Sequence, residues 1–288
     1  MYSGVSLALQ RLRLHIVRMP ETTRIARLES RALIAVGGED WRAFLQGLLT
    51  QDVDTLTPGG VRFGALLTPQ GRLLYDLFIV GRPGGEPDGC WLDCAAEKRA
   101  ALIQRLTIYR LRAKVTIAPG ETPVLAAWGG EPAGGGWALD PRLAALGWRG
   151  YGANPAPNAS EADYDRHRLA LGVPGPADWG EEASYPLEAD FDLLNGVDFR
   201  KGCFVGQETT SRMKRRGTIK SRMLPIAFEG EPPPAGTEIL AGSLRAGEVL
   251  SGLDGRAMAL VRLDRIEGAA LTVDGRPCAV ERPDWTQV

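Results

Sequence analysis

The sequence predicts an α+β fold followed by a β-rich C-terminal part, and three observations indicate it. A chain of 288 residues is long enough to bury two or three cores. Strand-like and helix-like segments alternate from about residue 32 to residue 117, which is typical of a mixed sheet with helices on one side. From Thr218 onward, short apolar runs are separated by Gly, Pro and Asp, with a clear turn at Asp274-Gly275. Short, regular strands of this kind predict a small β-barrel.

The first element is a strand over Ala32–Val36, which turns at Gly37-Gly38 into a helix from about Asp40. The helix carries apolar residues at the i, i+3, i+4, i+7, i+8 spacing of one buried face, namely Trp41, Phe44, Leu45, Leu48 and Leu49. We therefore expect this helix to belong to a hydrophobic core.

Two strands follow, Val61–Leu67 and Arg72–Val80, joined by a turn with Pro at its second and Gly at its fourth position. Leu74, Asp76, Phe78 and Val80 share one face of the second strand by the period-two rule. Asp76 is therefore a carboxylate on an apolar face. Such a group must be paired or hydrogen-bonded, so it is either a structural acceptor or a ligand-binding group, and the pattern leaves both open.

The next segments complete the α+β part. We expect a strand over Cys90–Ala95, a helix from Ala96 to about Tyr109, and a strand over Arg112–Ile117. Residues 119–136 and 141–159 are rich in Gly and Pro and are interpreted as loops. A further helix begins after Ser160, which suits an N-cap, and ends near Gly172.

Composition excludes several classes of protein. A net charge of −1 and an apolar content of 44% give no global bias towards nucleic acid or membrane. Four cysteines without a CxxC pair indicate a reducing compartment, and two histidines leave little for a protein-held metal site. No apolar run approaches the ~20 residues of a membrane span. We expect a cytoplasmic monomer.

The N-terminal residues 1–20 are treated as an extension outside the folded part. They contain three arginines and no acid, which superficially fits a transit peptide. A start site annotated upstream of a real start at Met19 is the alternative, and the pattern leaves both open.

The chain is organised around Asp198–Arg216, which reads DFRKGCFVGQETTSRMKRR. Gly202 and Gly206 let the backbone approach another chain segment or a ligand closely. Cys203 is expected just ahead of a helix, where the pKa of a thiol falls below its free value of ~8.5, and Lys201 acts in the same direction. The alternative is a structural turn with a buried, inert cysteine.

The segment Lys214–Arg222 is the most basic part of the chain. Such a run is either a solvated helix face or an anion site, for example for a polyglutamate tail or RNA phosphate.

The motif KGCFVGQE resembles the signature of the YgfZ family of folate-binding proteins, relatives of the aminomethyltransferase of the glycine cleavage system. The segments AVGGEDWRAFLQGLLTQDV, YRLR at 109–112 and GVP at 172–174 resemble further family segments, so the likeness runs from about Glu21 to the C-terminus. It implies three lobes around a central folate cavity. Two α+β lobes would comprise residues 21–130 and 131–217, and a β-barrel residues 218–288.

The resemblance also implies site residues. Glu188 matches the glutamate of a P-x-E-A pattern that binds the pterin ring in the aminomethyltransferases, and Asp76 matches the second acid of a pair in their corresponding strand. Cys203 and Asp76 are the expected catalytic groups. Tetrahydrofolate or a one-carbon derivative would be bound by Asp76, Tyr109, Arg112, Glu188, Lys201, Gln207 and Glu208.

The resemblance favours a tetrahydrofolate-binding accessory factor for iron–sulfur cluster assembly or repair, with assembly proteins or client iron–sulfur enzymes as partners. The alternative is a folate-dependent, aminomethyltransferase-like one-carbon transferase. Tyr75 in place of the first acid, and Cys203 where the transferases' motif generally has an acid, argue against it. Direct RNA binding ranks third, because the basic segment lacks interleaved aromatic residues.

Overall fold

The computed structural model describes residues 22–82, 89–217 and 219–286, so the predicted extension at residues 1–20 lies outside the described part. The strands within that part are β1 (Arg24–Arg27), β2 (Arg31–Gly37), β3 (Val61–Leu67), β4 (Leu73–Gly81), β5 (Gly89–Ala95), β6 (Thr116–Gly120), β7 (Val124–Trp128), β8 (Trp137–Leu139), β9 (Trp148–Tyr151), β10 (Ser221–Phe228), β11 (Glu238–Ala241), β12 (Leu244–Leu253), β13 (Arg256–Arg262), β14 (Leu271–Val273) and β15 (Arg276–Val280). The helices are α1 (Trp41–Gln46), α2 (Arg99–Arg110), α3 (Glu161–Ala170), α4 (Pro176–Trp179), α5 (Gln207–Arg216) and α6 (Leu263–Ile266).

The strands form two open sheets and a closed barrel. Sheet 1 has the order β3-β4-β5-β2-β6, and sheet 2 has the order β1-β7-β9-β8. The barrel closes in the order β10-β13-β12-β11-β14-β15. The predicted fold class, α+β with a C-terminal β-barrel, is confirmed. Sheet 2 takes its strands from both sides of residue 130, the predicted boundary between the two lobes. Its strands β1 and β7 pair although most of the first predicted lobe lies between them in the sequence.

Strand β4 separates two hydrophobic cores. Tyr75, Leu77 and Ile79 point to the core that α1 and α2 cover. Phe78 and Val80 point to the other core, which sheet 1 shares with sheet 2 and α3. A β-bulge opposite Leu66 and Leu67 shifts the alternation by one residue. Leu74 therefore lies on the helix side, and not beside Asp76 as the period-two rule predicts.

Several predicted elements are confirmed and others are not. Strand β3 has the predicted bounds, and Ser160 caps α3 through a reciprocal capping box with Asp163. The strand predicted over Arg112–Ile117 exists as β6, but its predicted bounds are wrong, because α2 ends at Arg110, its C-cap Leu111 has a φ of 47°, and β6 starts only at Thr116. Strands β7 and β9 lie in segments predicted as loops. They are short apolar runs between Gly and Pro residues, and their pairing partners are distant in sequence.

A buried network of ion pairs joins the two sheets. Arg31 on β2 donates from Nη1 to Asp76 on β4 and from Nε to Asp93 on β5, with both distances 2.7 Å. Arg149 on β9 of sheet 2 donates from Nη2 to the other oxygen of Asp93 at 2.5 Å. All four side chains are at most 7% exposed. The carboxylate of Asp93 therefore links the guanidinium groups of both sheets.

The same network continues on the side of sheet 2. Asp140 accepts from Arg142 at 2.7 Å, and one of its oxygens lies 3.7 Å from Nη1 of Arg149. The guanidinium carbon of Arg149 lies 3.7 Å from the centre of the Phe78 ring, within the range of a cation–π contact. Burial alone would raise the pKa of Asp140, but the neighbouring arginines hold it below its usual value. Three carboxylates thus face three guanidinium groups, and the buried charge cancels.

Arg149→Met tests this network. The substitution keeps much of the side-chain volume but leaves Asp93 and Asp140 short of a cation in a buried site, which costs about 3–5 kcal/mol of unfolding free energy. Urea unfolding followed by circular dichroism measures the change. Arg27→Met, at a side chain that is 55% exposed, is the control and should leave the unfolding midpoint unchanged. Equal midpoints for both variants would contradict a stabilising role for the network.

Candidate functional site

The loop that carries Cys203, residues 195–206, is called the thiol loop. Its first half is hydrogen-bonded to the segment that follows α1. The Thr50 hydroxyl donates to the carbonyl of Gly196 at 2.7 Å, and the Thr50 carbonyl accepts from the backbone N–H of Asp198 at 2.9 Å. Nε2 of Gln51 donates to the carbonyl of Asn195 at 2.6 Å. The two segments with the strongest family resemblance, far apart in the sequence, are therefore in direct contact.

Lys201 fixes the second half of the thiol loop. Its ammonium group donates to the backbone carbonyls of Gln46, Leu49 and Gln51 at 2.8, 2.5 and 3.0 Å. These carbonyls lie at and just beyond the C-terminal end of α1, where a cation is favourable. Burial lowers the pKa of Lys201 to about 8. We expected its ammonium group to act on Cys203, and the structure shows it directed to these carbonyls instead.

Gly206 ends the thiol loop in close contact with the β3–β4 turn. Its φ is 80°, and a Cβ atom there would lie 2.6 Å from the carbonyl oxygen of Thr68 and 2.9 Å from Cα of Gly71. Gly71 is likewise in the left-handed region, with φ of 85°. The predicted close approach at Gly206 is confirmed, since a side chain at either position would separate the two backbones. Gly202, by contrast, faces open space.

Cys203 is presented between two anchored residues. Lys201 precedes it, and the buried side chain of Phe204 follows it, 7% exposed within the core shared by the two sheets. All four cysteines lie in the described part of the chain, and Cys203 alone is exposed. Burial raises the pKa of Cys90 and of Cys94 to about 12, so these thiols stay protonated at neutral pH. Cys203 itself is not buried, whereas the alternative of a structural turn required a buried cysteine.

Gln207 and Glu208 form the first turn of α5, immediately after the thiol loop. Gln207 is half-buried, and Glu208 is exposed at the helix N-terminus, where the helix dipole favours a carboxylate. Lys201, Cys203, Gln207 and Glu208 are therefore brought together as one loop-to-helix unit.

The other predicted site residues have different surroundings. Asp76 is paired with Arg31 in the buried network. Tyr109 is half-buried at the end of α2 and packs against the core beneath the helices, while Arg112 is exposed beyond that end. Asp76 thus accepts a hydrogen bond within the protein, as expected of a structural acceptor, which is one of the two possibilities that the sequence leaves open.

Glu188 lies in the irregular segment before the thiol loop. One of its carboxylate oxygens, Oε2, accepts from the backbone N–H of Tyr185 at 2.9 Å. Burial raises the pKa of Glu188, although the side chain remains partly accessible. Among the described residues, no group donates a hydrogen bond to Oε1, so this oxygen can accept from a ligand.

A groove runs along the thiol loop. One part encloses about 580 Å³ and an adjoining part about 300 Å³. Both parts are lined by Gln51, Arg62, Asp198 and Arg200. The larger part also contains Phe199, and the smaller part Lys201. Of the predicted site residues, Lys201 is the one that lines this groove.

The sequence analysis missed a second cluster of charges behind the thiol loop. Arg222 on β10 donates to Asp190 at 2.5 Å and to Asp192 at 3.0 Å, and Lys214 of α5 reaches Asp192 at 3.2 Å. Oδ2 of Asp190 is buried without a hydrogen-bond partner, and burial raises the pKa of Asp190 to about 7. The D-x-D spacing at Asp190 and Asp192, just before the thiol loop, could have indicated buried acids that need a cation.

The residues that the structure describes contain no group of three or more His, Cys, Asp or Glu side chains arranged to hold a metal ion. Within the same residues, no helix combines the length and apolar composition that crossing a membrane requires.

Comparisons with known proteins give the family and the fold that this chain resembles. A model of the family described as CAF17, C-terminal beta-barrel domain, matches residues 220–288. The iron–sulfur cluster assembly factor IBA57, mitochondrial, of Homo sapiens is 32% identical over 301 residues, covering 90% of this chain and 84% of that protein. The Mus musculus protein of the same name is 31% identical, with coverage of 90% and 84%. The Mycosarcoma maydis homolog is 34% identical over 242 residues, covering 74% of this chain and 60% of that protein.

A solved structure supports the fold. The glycine cleavage system aminomethyltransferase T from Bartonella henselae superposes with a TM-score of 0.71, covering 91% of this chain and 86% of that chain at 18% identity. At this identity the likeness concerns the fold.

Our expectation of a cytoplasmic protein is wrong, because the human, mouse and Mycosarcoma maydis relatives are all named as mitochondrial. Cysteine usage indicates reducing surroundings and does not distinguish one reducing compartment from another.

Asp190→Asn tests the charge cluster behind the thiol loop. A carboxyl group whose pKa rises from 3.8 to about 7 on folding favours the folded state at low pH. That contribution is lost as pH rises through 7, so the wild type should lose on the order of 2–3 kcal/mol between pH 5 and 8. Asp190→Asn should flatten this dependence, as measured by urea unfolding at both pH values.

Asp264→Asn is the matched control for that experiment. Asp264 is exposed on α6, and its pKa is lowered by Arg262, so it stays ionised throughout the interval. The control should follow the wild-type pH dependence. If Asp190→Asn follows it as well, Asp190 is not the titrating group.

Proposed function

Because the chain belongs to the family of the iron–sulfur cluster assembly factors IBA57, we propose that it is a tetrahydrofolate-binding accessory protein for the assembly or repair of iron–sulfur clusters. The observation that carries this proposal is the presentation of Cys203, exposed on a loop that Lys201 and Phe204 hold on either side. The resemblance of KGCFVGQE to the YgfZ signature supports the same reading.

Cys203 acts in this proposal as a thiolate that transiently contacts a cluster, a sulfur species or a partner. A single thiol cannot hold a cluster, since clusters normally need four cysteine-type ligands. Within the described residues there is no cluster of additional ligands beside it. The remaining ligands must therefore come from another protein, either an iron–sulfur assembly protein or a client iron–sulfur enzyme.

The ligand in this proposal is tetrahydrofolate or a one-carbon derivative. Glu188 fits such a ligand, because its free Oε1 can accept hydrogen bonds from the N–H groups of a 2-amino-4-oxopyrimidine edge. Gln207 and Arg112 are partly or fully accessible and could contact the rest of the molecule. Asp76 fits less well, because Arg31 already neutralises its charge.

The one-carbon transferase ranks second. In the position of the first acid of the transferases' pair, Tyr75 is buried in the core beneath α1 and α2. Asp76, in the position of the second, is held by Arg31 at 2.7 Å. Neither group is available as an acid or base beside a bound folate, which favours the assembly factor.

Glu188→Gln should weaken tetrahydrofolate binding by roughly 10- to 100-fold, the loss expected for one charge-assisted hydrogen bond of about 1.5–3 kcal/mol. Isothermal titration calorimetry measures the affinity. Glu181→Gln, at an exposed glutamate of the same segment, is the control and should bind like the wild type. Unchanged affinity in Glu188→Gln would remove Glu188 from the folate site, and no binding by the wild type would remove the folate from the proposal.

Cys203→Ala should bind tetrahydrofolate like the wild type but fail to restore the activity of a radical iron–sulfur enzyme in cells that lack the endogenous protein. The thiol is exposed, so its removal leaves the core intact. Cys278→Ala, at a half-buried cysteine of the barrel, is the matched control and should restore activity. Full rescue by Cys203→Ala would show that the thiol is dispensable.

A further inference from the structure

The segment around Cys203 is strongly basic within a chain whose net charge is −1. Residues 199–220 contain one acid, Glu208, and seven cations, namely Arg200, Lys201, Arg212, Lys214, Arg215, Arg216 and Lys220. The rest of the chain is therefore net acidic. A local concentration of one sign of charge creates a directed electrostatic field at the surface.

Some of these cations have partners within the protein, and others face outward. Lys201 donates hydrogen bonds to the carbonyls after α1, and Lys214 pairs with Asp192. The side chain of Arg200 is 95% exposed. Arg212 and Arg215 are exposed on α5, and neither forms an ion pair with any residue in the described ranges. Arg200 lies 3.9 Å from the carboxylate of Asp198, so Arg212 and Arg215 are the two guanidinium groups of this set whose charge is not neutralised by an acid in the described ranges.

Helix α5 adjoins the groove through Lys214. Phe199 lines the groove and is 36% exposed, and Nζ of Lys214 on α5 lies 5.4 Å from the centre of its ring. Arg62 and Arg200 line both parts of the groove, and so does the acid Asp198. We call this surface the basic face and define it by Arg62, Phe199, Arg200, Arg212 and Arg215. Cys203 lies in the sequence between its two halves, on the same loop as Arg200.

We propose that the basic face docks an acidic segment of the partner protein and so brings the partner's own ligands to Cys203. This inference rests on the proposed function and names the chemistry of the partner. Charge complementarity selects an acidic surface, and the groove beside the thiol loop admits its side chains. A protein is favoured over a nucleic acid because Phe199 is the single aromatic side chain of the face, whereas single-strand binding relies on several stacked bases.

The test measures how fast Cys203 reacts with charged peptides. A short glutamate-rich peptide carries a central cysteine blocked as a mixed disulfide with thionitrobenzoate. The Cys203 thiolate attacks the peptide sulfur, a new protein–peptide disulfide forms, and thionitrobenzoate leaves as a coloured thiolate, so no other oxidant is needed. A glutamine-rich peptide of the same length is the neutral comparison. The glutamate peptide should react about 10-fold faster or more at low ionic strength.

Salt and substitutions identify the surface. The advantage of the glutamate peptide should vanish at about 0.5 M salt, where the Debye length is only a few ångströms. Arg212→Gln combined with Arg215→Gln should remove most of the rate advantage of the glutamate peptide at low ionic strength. Arg27→Gln combined with Arg245→Gln makes the same change in net charge at exposed sites on sheet 2 and the barrel, and should retain it. Cys203→Ala should release no thionitrobenzoate, and the uncharged disulfide dithiodipyridine should react equally with all variants that retain the thiol.

Two kinds of result would overturn the proposal. One is equal rates, either for the two peptides reacting with the wild type or for the two double variants reacting with the glutamate peptide. The other is a single-stranded oligonucleotide that suppresses the acceleration at a far lower concentration than the free glutamate peptide, which would assign the face to nucleic acid. Either result would leave the proposed function standing, because that function is judged separately by tetrahydrofolate binding and by the Cys203-dependent rescue of an iron–sulfur enzyme.

Discussion

The buried network of three carboxylates and three guanidinium groups is the constraint on which the rest of the structure depends. None of these charges tolerates burial alone, so the two sheets must meet in the one register that pairs all of them. Asp76 on β4 joins this set through Arg31 of the same sheet, and the Phe78 ring on β4 lies against the guanidinium group of Arg149 on sheet 2. The network therefore holds β4, the strand that leaves the turn on which the thiol loop rests.

The thiol loop depends on supports from all three parts of the molecule. The segment after α1 accepts the Lys201 ammonium group, and Phe204 enters the core shared by the two sheets. The barrel contributes Arg222, which holds Asp190 and Asp192 ahead of the loop. An exposed cysteine is thereby presented on a backbone with few degrees of freedom. Such preorganisation suits a group that must meet a partner's ligands in a defined geometry.

The sequence predicted the features that local patterns encode. Apolar periodicity predicted the strands β2 to β5 and the helices α1 and α2, and turn residues predicted the barrel. The motif KGCFVGQE singled out Cys203 but left its exposure open. The sequence missed what depends on contacts between distant residues. Strand β9 and its Arg149 lay in a segment that resembled a loop, and the partners of Lys201 are carbonyls, which no side-chain pattern reveals. The bulge at Leu74 likewise follows from pairing with β3.

The contact between Gly71 and Gly206 joins the β3–β4 turn to the start of α5. Backbone meets backbone there, so neither position has room for a Cβ atom, and the turn between β3 and β4 cannot lengthen without moving the start of α5. Insertions in descendants of this chain should therefore accumulate elsewhere, such as at Gly134 and Gly135, which face open space. The length of the chain should thus vary least in the β3–β4 turn, where this turn contacts the start of α5.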